Sequence, residues 1–166
     1  MALGKTHPAT AAEIAATLAD ATEDELEALL TRYAEDPRAQ VRRACGVAQR
    51  RVEKQRAERV RVEGMYGLMR ELGGDGVVLG LDEVGRGSVA GPLTVCAVAL
   101  PDDPKVLGIN DSKQLTPAKR RELSGKIRSV AQAIGICHIS PAHIDGVGMA
   151  KAIREAMLGA IEDAGI

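Results

Sequence analysis

The sequence contains no Phe, no Trp and only two Tyr among its 166 residues. Any interior must therefore be built from Val, Leu, Ile, Ala and Met, and the aromatic platforms on which single-strand binders stack bases are missing. Cysteine is scarce as well. Cys45, Cys96 and Cys137 are widely separated and form no CxxC pair or Cys/His cluster, so neither a disulfide framework nor a zinc site is indicated. Reduced thiols suit the cytosol, and Cys96, set in an apolar run, reads as a small buried hydrophobe. There is no long hydrophobic stretch. The longest, Leu93 to Leu100, is broken by Thr94 and is too short to span a bilayer. Residues 1–8 lack the apolar core of a signal peptide. A cytoplasmic monomer with no membrane partner is expected. An excess of one charge is also lacking: the net charge is −1, so the overall balance does not announce a polyanionic partner.

What is present is 45% hydrophobic and 27% charged, as in an ordinary globular protein, over a length that fits one domain or one domain with an appendage. The chain divides into two halves, 1–74 and 75–166. The first reads as helix throughout. Thr10 with Glu13, and Thr22 with Glu25, are capping-box pairs. Ile14 and Leu18, then Leu26, Leu29, Leu30 and Tyr33, follow at helical spacing. Pro37 suits the first turn of a third helix, expected from Arg38 to Leu72 with weak points at Gly46 and Gly64 and ended by Gly73 and Gly74. Between Arg38 and Arg61 stand nine Arg or Lys against two Glu. That basic run is either a solvated face or a phosphate contact that would make binding salt-dependent.

From Asp75 the pattern changes. Two glycine-bounded apolar runs, 76–81 and 89–100, predict buried strands, the second ended by the turn cluster 101–104. Thr116 and Pro117 open a helix carrying Leu123, Ile127 and Val130 on one face. Residues 133–139 predict a third strand. Ser140 and Pro141 open a helical stretch interrupted by Gly146 and Gly148. A last helix over 149–163 repeats Ile153, Met157 and Ile161 four apart. The order is α/β and begins with a hairpin.

Chemistry concentrates in residues 80–92. Asp82 and Glu83 close the first apolar run, and carboxylates are costly to bury unless paired or bound to a cation. Beside a glycine-rich turn they suit a hard divalent ion, Mn²⁺ or Mg²⁺. Adjacent strand residues point to opposite faces, so the two cannot share one ion unless the backbone breaks or one binds through its carbonyl; Gly85 and Gly87 offer such a break. Gly85, Arg86 and Gly87 leave backbone N–H groups approachable and add a planar phosphate partner. An apolar strand ending in Asp-Glu also describes the metal-binding strand of a P-loop ATPase. That reading needs GxxxxGK[ST], which neither Gly4-Lys5-Thr6 at the start nor Gly125-Lys126-Ile127 supplies. About twenty residues further on, residues 108–115 form a second polar loop in which Lys113 is either a solvated lysine or a group facing the same phosphates.

The stretches GLDEVGRGSVAGPLTVCAVAL, INDSKQLTPAKRREL and SPAHIDGVGMAKAIREAMLGAI closely resemble ribonuclease HII, the type 2 ribonuclease H, in order and spacing. The helical leader resembles, more weakly, the amino-terminal extension of the longer bacterial forms. The resemblance implies a ribonuclease H-like α/β fold, here an incomplete mixed sheet with flanking helices, preceded by an all-helical N-terminal extension. It implies two-metal hydrolysis of the RNA strand of an RNA–DNA hybrid duplex, single embedded ribonucleotides included, leaving a 5′-phosphate. Asp82 and Glu83 would be the first two of four catalytic, metal-binding acids. Gly85, Arg86 and Gly87 would hold the ribonucleotide and sense its 2′-hydroxyl. Lys113 would contact a backbone phosphate. In the family the third acid follows the helix that ends here near Asp163, and the fourth acid and a junction-sensing tyrosine come later still. None of these is present. Asp145, Glu162 and Asp163 read as local structure rather than substitutes. This chain alone is therefore expected to have little or no nuclease activity and an unpaired, aggregation-prone sheet edge. A non-catalytic nucleic-acid-binding fragment is the alternative reading.

Overall fold

A computed structural model describes residues 9–166. Residues 1–8, which carry the signal-peptide and Gly4-Lys5-Thr6 readings, lie outside the described residues. The chain forms two compact units that divide at Val60 and Arg61.

The first unit holds α1 (Ala11–Asp20), α2 (Glu23–Tyr33) and the start of α3 (Ala39–Gly73). Both expected capping boxes form. Thr10 Oγ1 accepts from Glu13 N at 3.2 Å while Glu13 Oε2 accepts from Thr10 N at 2.7 Å, and Thr22 and Glu25 repeat the pattern. Each box satisfies helix N–H groups that have no partner inside the helix. The core is Ile14, Leu18, Leu26, Val41, Ala48 and Val52, with Leu29, Leu30 and Tyr33 packed against it. Pro37 lies before α3 rather than in its first turn. Arg42 N bonds to Arg38 O, so Arg38 caps the helix, and the Asp36 carboxylate accepts from Arg38 N. Gly46 and Gly64 do not interrupt the helix.

The second unit holds the rest of α3 and a three-stranded sheet: β1 (Gly80–Val84), β2 (Leu93–Ala99) and β3 (Ala133–Ile139), in the order β1-β2-β3. With α4 (Pro117–Val130), α5 (Pro141–Val147) and α6 (Met149–Ala164) it is the expected α/β arrangement. Every strand pair among the described residues is antiparallel, where a mixed sheet was anticipated. The reason lies in the connection through α4. It returns the chain to the end of β2, with Ala99 opposite Ala133, so β3 runs back along β2.

The first two strands are shorter than their apolar runs. β1 begins at Gly80 rather than residue 76, because pairing starts where Gly80 meets Val98. β2 begins at Leu93 rather than residue 89: Pro92 has no N–H to give a ladder and Gly91 sits at φ +116°. Residues 85–92 thus form the hairpin turn.

Along β2, Leu93, Val95, Ala97 and Ala99 are fully buried while Thr94, Cys96 and Val98 are half-buried. The buried face meets α6 through Ala152, Ala156 and Ala160. The expected stripe of Ile153, Met157 and Ile161 is only half-buried, one residue around the helix from the buried one. Small residues are required there because helix and sheet approach closely: a Cβ on Gly135 would stand 2.0 Å from the carbonyl oxygen of Ala160. On the opposite face Cys96, Val98, Ile134 and Ile136 line a cavity of ≈ 320 Å³ with Leu123 and Ile127 of α4. Cys96 is therefore a half-buried wall residue and not a fully buried one. The outer edge of β3 is blunted at one point, where Asp163 Oδ2 accepts from Ile136 N at 2.9 Å.

Candidate active-site cleft

Asp82 and Glu83 are the third and fourth residues of β1 and do not close it. Asp82 pairs with Cys96 and Glu83 with Val95, so their side chains leave opposite faces of the sheet. The glycine turn comes too late to change this. Its first positive φ, +98° at Gly85, follows the strand. Gly85 is obligatory for a second reason: a Cβ there would lie 2.4 Å from the Pro92 carbonyl oxygen. Ser88 N bonds back to Gly85 O at 3.2 Å, which closes a tight turn with Arg86 and Gly87 at its corners. Nothing lies within 4 Å of a Cβ added at Gly87, so that glycine answers to no packing demand.

The acids make short local contacts. Asp82 Oδ1 accepts from Glu83 N at 2.9 Å, and Arg86 Nη1 lies 3.3 Å from Glu83 Oε1. The Arg86 side chain is two-thirds exposed, and such surface pairs contribute at most about 1 kcal/mol. An incoming phosphate can replace Glu83 as its partner.

The second loop is held from two sides. Tyr66, buried on α3, accepts from Val106 N at 3.1 Å, and Arg61 Nη2 donates to the Ile109 carbonyl at 2.5 Å. From α4, Arg120 Nη1 donates to the carbonyls of Ser112 and Leu115 at 3.0 and 2.7 Å. Between these anchors the Asp111 side chain accepts from Lys113 N at 2.9 Å and caps a 3-10 turn over Ser112–Gln114. The Lys113 ammonium has no ion-pair partner among the described residues.

These elements enclose a cleft of ≈ 750 Å³ walled by Asp82, Glu83, Val84, Thr94, Cys96, Asn110, Asp111, Ser112 and Lys113. The fold thus brings Asp82 and Lys113 to one space, across about thirty residues of chain; Glu83 is part of the wall, but its side chain leaves the opposite face of the sheet, and Gly85, Arg86 and Gly87 lie just beyond the strand end. Thr94, Cys96 and Asp111 join the wall unforeseen. Thr94 was legible as the polar break in the apolar run, and its hydroxyl sits 2.7 Å from His138 Nδ1. Burial pushes the Cys96 thiol pKa up. Asp145 lies within α5 and Asp163 caps β3, and neither is part of the cleft wall.

Hard oxygen donors of this kind suit Mn²⁺ or Mg²⁺, but the set covers one side of such a site and not the whole. Among the described residues no group of three or more His, Cys, Asp or Glu side chains is placed to hold a metal ion. No helix among them is long and apolar enough to cross a membrane.

Comparison with known proteins adds a second line. A family described as "Ribonuclease HII" matches residues 79–166, and its "Ribonuclease HII N-terminal domain" matches residues 10–72. Curated proteins named Ribonuclease HII are similar over most of the chain. The one from Lachnoclostridium phytofermentans is 40% identical over 135 residues, covering 81% of this chain and 53% of its own length. The one from Geobacillus kaustophilus is 40% identical over 152 residues, covering 84% and 58%. A solved structure of ribonuclease H2 from Pyrococcus horikoshii OT3 aligns at TM-score 0.44 and 28% identity, covering 50% of this chain and 43% of that one. The chain spans just over half the length of these two curated relatives.

Proposed function

The chain belongs to the ribonuclease HII family, and we propose that its cleft is the substrate-binding side of a site that hydrolyses the RNA strand of RNA–DNA hybrids, single ribonucleotides in DNA included. The observation that carries this reading is the convergence of Asp82 and Lys113 on one cleft beside the glycine turn. Each residue has a role its position supports. Lys113, a point charge without an ion-pair partner among the described residues, holds a backbone phosphate. The turn at Gly85, Arg86 and Gly87 receives the ribonucleotide: the open space at Gly87 lets sugar and phosphate approach the backbone, and Arg86 exchanges Glu83 for phosphate. Asp82 contributes a carboxylate toward divalent Mn²⁺ or Mg²⁺, and Glu83, whose side chain leaves the opposite face, reaches the same ion through its backbone carbonyl. The N-terminal extension, residues 1–74, precedes this catalytic portion.

The test is binding of a labelled DNA duplex with one embedded ribonucleotide against the same duplex in all-DNA form. The chain prefers the ribonucleotide. Gly87→Ala removes the preference without unfolding the protein. Lys113→Ala weakens both duplexes alike and lowers the salt slope by about 0.9, one phosphate contact. A wild-type chain with no preference between the duplexes would refute the reading.

A further inference from the structure

The basic run on α3 is less available than its count suggests. Of the nine cations between Arg38 and Arg61, six are turned to internal partners. Arg38 pairs with Asp36 at 2.6 Å, and Arg42 donates to the carbonyls of Asp36 and Pro37. Arg51 donates to the carbonyls of Leu18, Ala19 and Ala21 at the end of α1. Arg56 and Arg59 share Glu23, at 2.7 and 2.5 Å, and Arg61 holds Ile109. Three remain, Arg43, Arg50 and Lys54. All are exposed, and among the described residues none has an ion-pair or hydrogen-bond partner.

Those three are not scattered. At 100° per residue they fall within about 40° of one another around the helix and span about 16 Å along it. The only other residues of 43–57 on that strip are Val47 and Ala57, both exposed and uncharged. Three unpartnered cations in a row, with no acid among them, stand out on a chain with 22 basic and 23 acidic residues.

We propose that this strip is a binding surface for nucleic-acid phosphates, separate from the cleft. The partner is a duplex backbone, for three reasons. A duplex is a linear polyanion with one charge per about 1.7 Å of axis, so a straight row of cations meets phosphates along its whole length. The strip carries no aromatic ring, which suits contacts that position a duplex without reading its bases. It also lacks the large apolar residues with which a basic helix enters a membrane surface. The surface is sequence-independent, and its role is to raise residence on the duplex on which the cleft acts.

The test uses the whole 166-residue chain, a fluorescent all-DNA duplex and EDTA, so that neither metal nor ribonucleotide recognition enters. Binding is followed by anisotropy between about 50 and 200 mM salt. The triple variant Arg43→Gln, Arg50→Gln, Lys54→Gln is expected to lower the log–log salt slope by about 2.7, three contacts at 0.9 each, and to weaken binding at least about tenfold. A triple variant with Arg43→Lys and Arg50→Lys and Lys54→Arg keeps the slope, and circular dichroism confirms that both variants are folded. An unchanged slope in the Gln variant would overturn the proposal. Equal affinity of the wild-type chain for polyglutamate would overturn it too, by pointing to an acidic polypeptide. Because the cleft proposal is read from preference for a ribonucleotide, either proposal can fail alone.

Discussion

Adding one methyl group at Gly135 tests how the sheet and its covering helix fit. The Cβ of Gly135→Ala would stand 2.0 Å from Ala160 O and 2.4 Å from Ala164 N. Both are backbone atoms of α6, so neither can rotate away as a side chain does. To reach an ordinary contact the helix must lift from β3 by more than about 1 Å. A gap of that size forfeits a quarter to a half of each dispersion contact beneath it. The layer affected is the most tightly buried one in the second unit: Leu93, Val95 and Ala97 against Ala152, Ala156 and Ala160. Overpacking of a well-filled core costs about 1–3 kcal/mol, and a clash with backbone on a buried strand belongs at the upper end, about 3 kcal/mol. With a urea m-value of about 1–3 kcal/mol/M, the midpoint falls by about 1–3 M. The same substitution at Gly125 has the opposite sign. That residue is exposed within α4 with nothing within 4 Å of its Cβ, so Gly125→Ala gains about 0.5–1 kcal/mol from helix propensity. Urea unfolding of the two variants side by side is the assay. A Gly135→Ala midpoint within error of wild type would show that α6 does not pack on the sheet as described.

Other expectations follow from the same geometry. Gly85→Ala combines a φ of +98° with a Cβ 2.4 Å from the Pro92 carbonyl and costs about 2–4 kcal/mol in urea unfolding, whereas Gly87→Ala, with open space around it, costs less than about 1. Thr22→Ala breaks the α2 capping box and lowers stability by about 1 kcal/mol, read from the unfolding midpoint. Acid should loosen the first unit. Hydrogen bonds from Arg38 hold the Asp36 pKa down at about 2, and those from Thr10 and Thr22 lower Glu13 and Glu25. A carboxylate whose pKa is depressed by folding stabilises above its unfolded value, and that contribution is lost as pH falls through the folded one. Helicity followed by circular dichroism should therefore decline from the ordinary carboxylate range toward about pH 2, and Asp36→Asn should flatten the lower part of that decline.

Local chemistry was the most legible part of the sequence. Thr10 and Thr22 act within three residues, so their helix starts can be read from spacing alone, and β3 occupies the expected 133–139. What failed depended on partners distant in sequence. The ends of β1 and β2 are set by register and by Pro92, not by the length of the apolar runs. The buried stripe of α6 is alanine because Gly135 and its neighbours leave no room for Ile or Met, and that closeness is invisible in hydrophobicity. At the site, the alternation of Asp82 and Glu83 follows from strand geometry and survives in the structure; the hope that Gly85 would break the strand in time did not. That the loop of Lys113 faces the same space as Asp82 was one of two readings open in the sequence, and spacing did not decide between them. Tyr66, Arg61 and Arg120 bring it there, and no spacing rule points to them. The basic helix shows the same limit in reverse, since counting charges cannot reveal which of them already have partners.

The central claim is that the cleft around Asp82 is the nuclease site. The most direct measurement is cleavage of an end-labelled DNA duplex bearing one ribonucleotide, in Mn²⁺. It compares residues 1–166 alone with the same residues continued by the part of the Geobacillus kaustophilus relative that lies beyond the match. Cleavage at the ribonucleotide by the continued chain, lost in Asp82→Asn but not in Asp145→Asn, is the predicted result. Cleavage by the continued chain that persists undiminished in Asp82→Asn would contradict it.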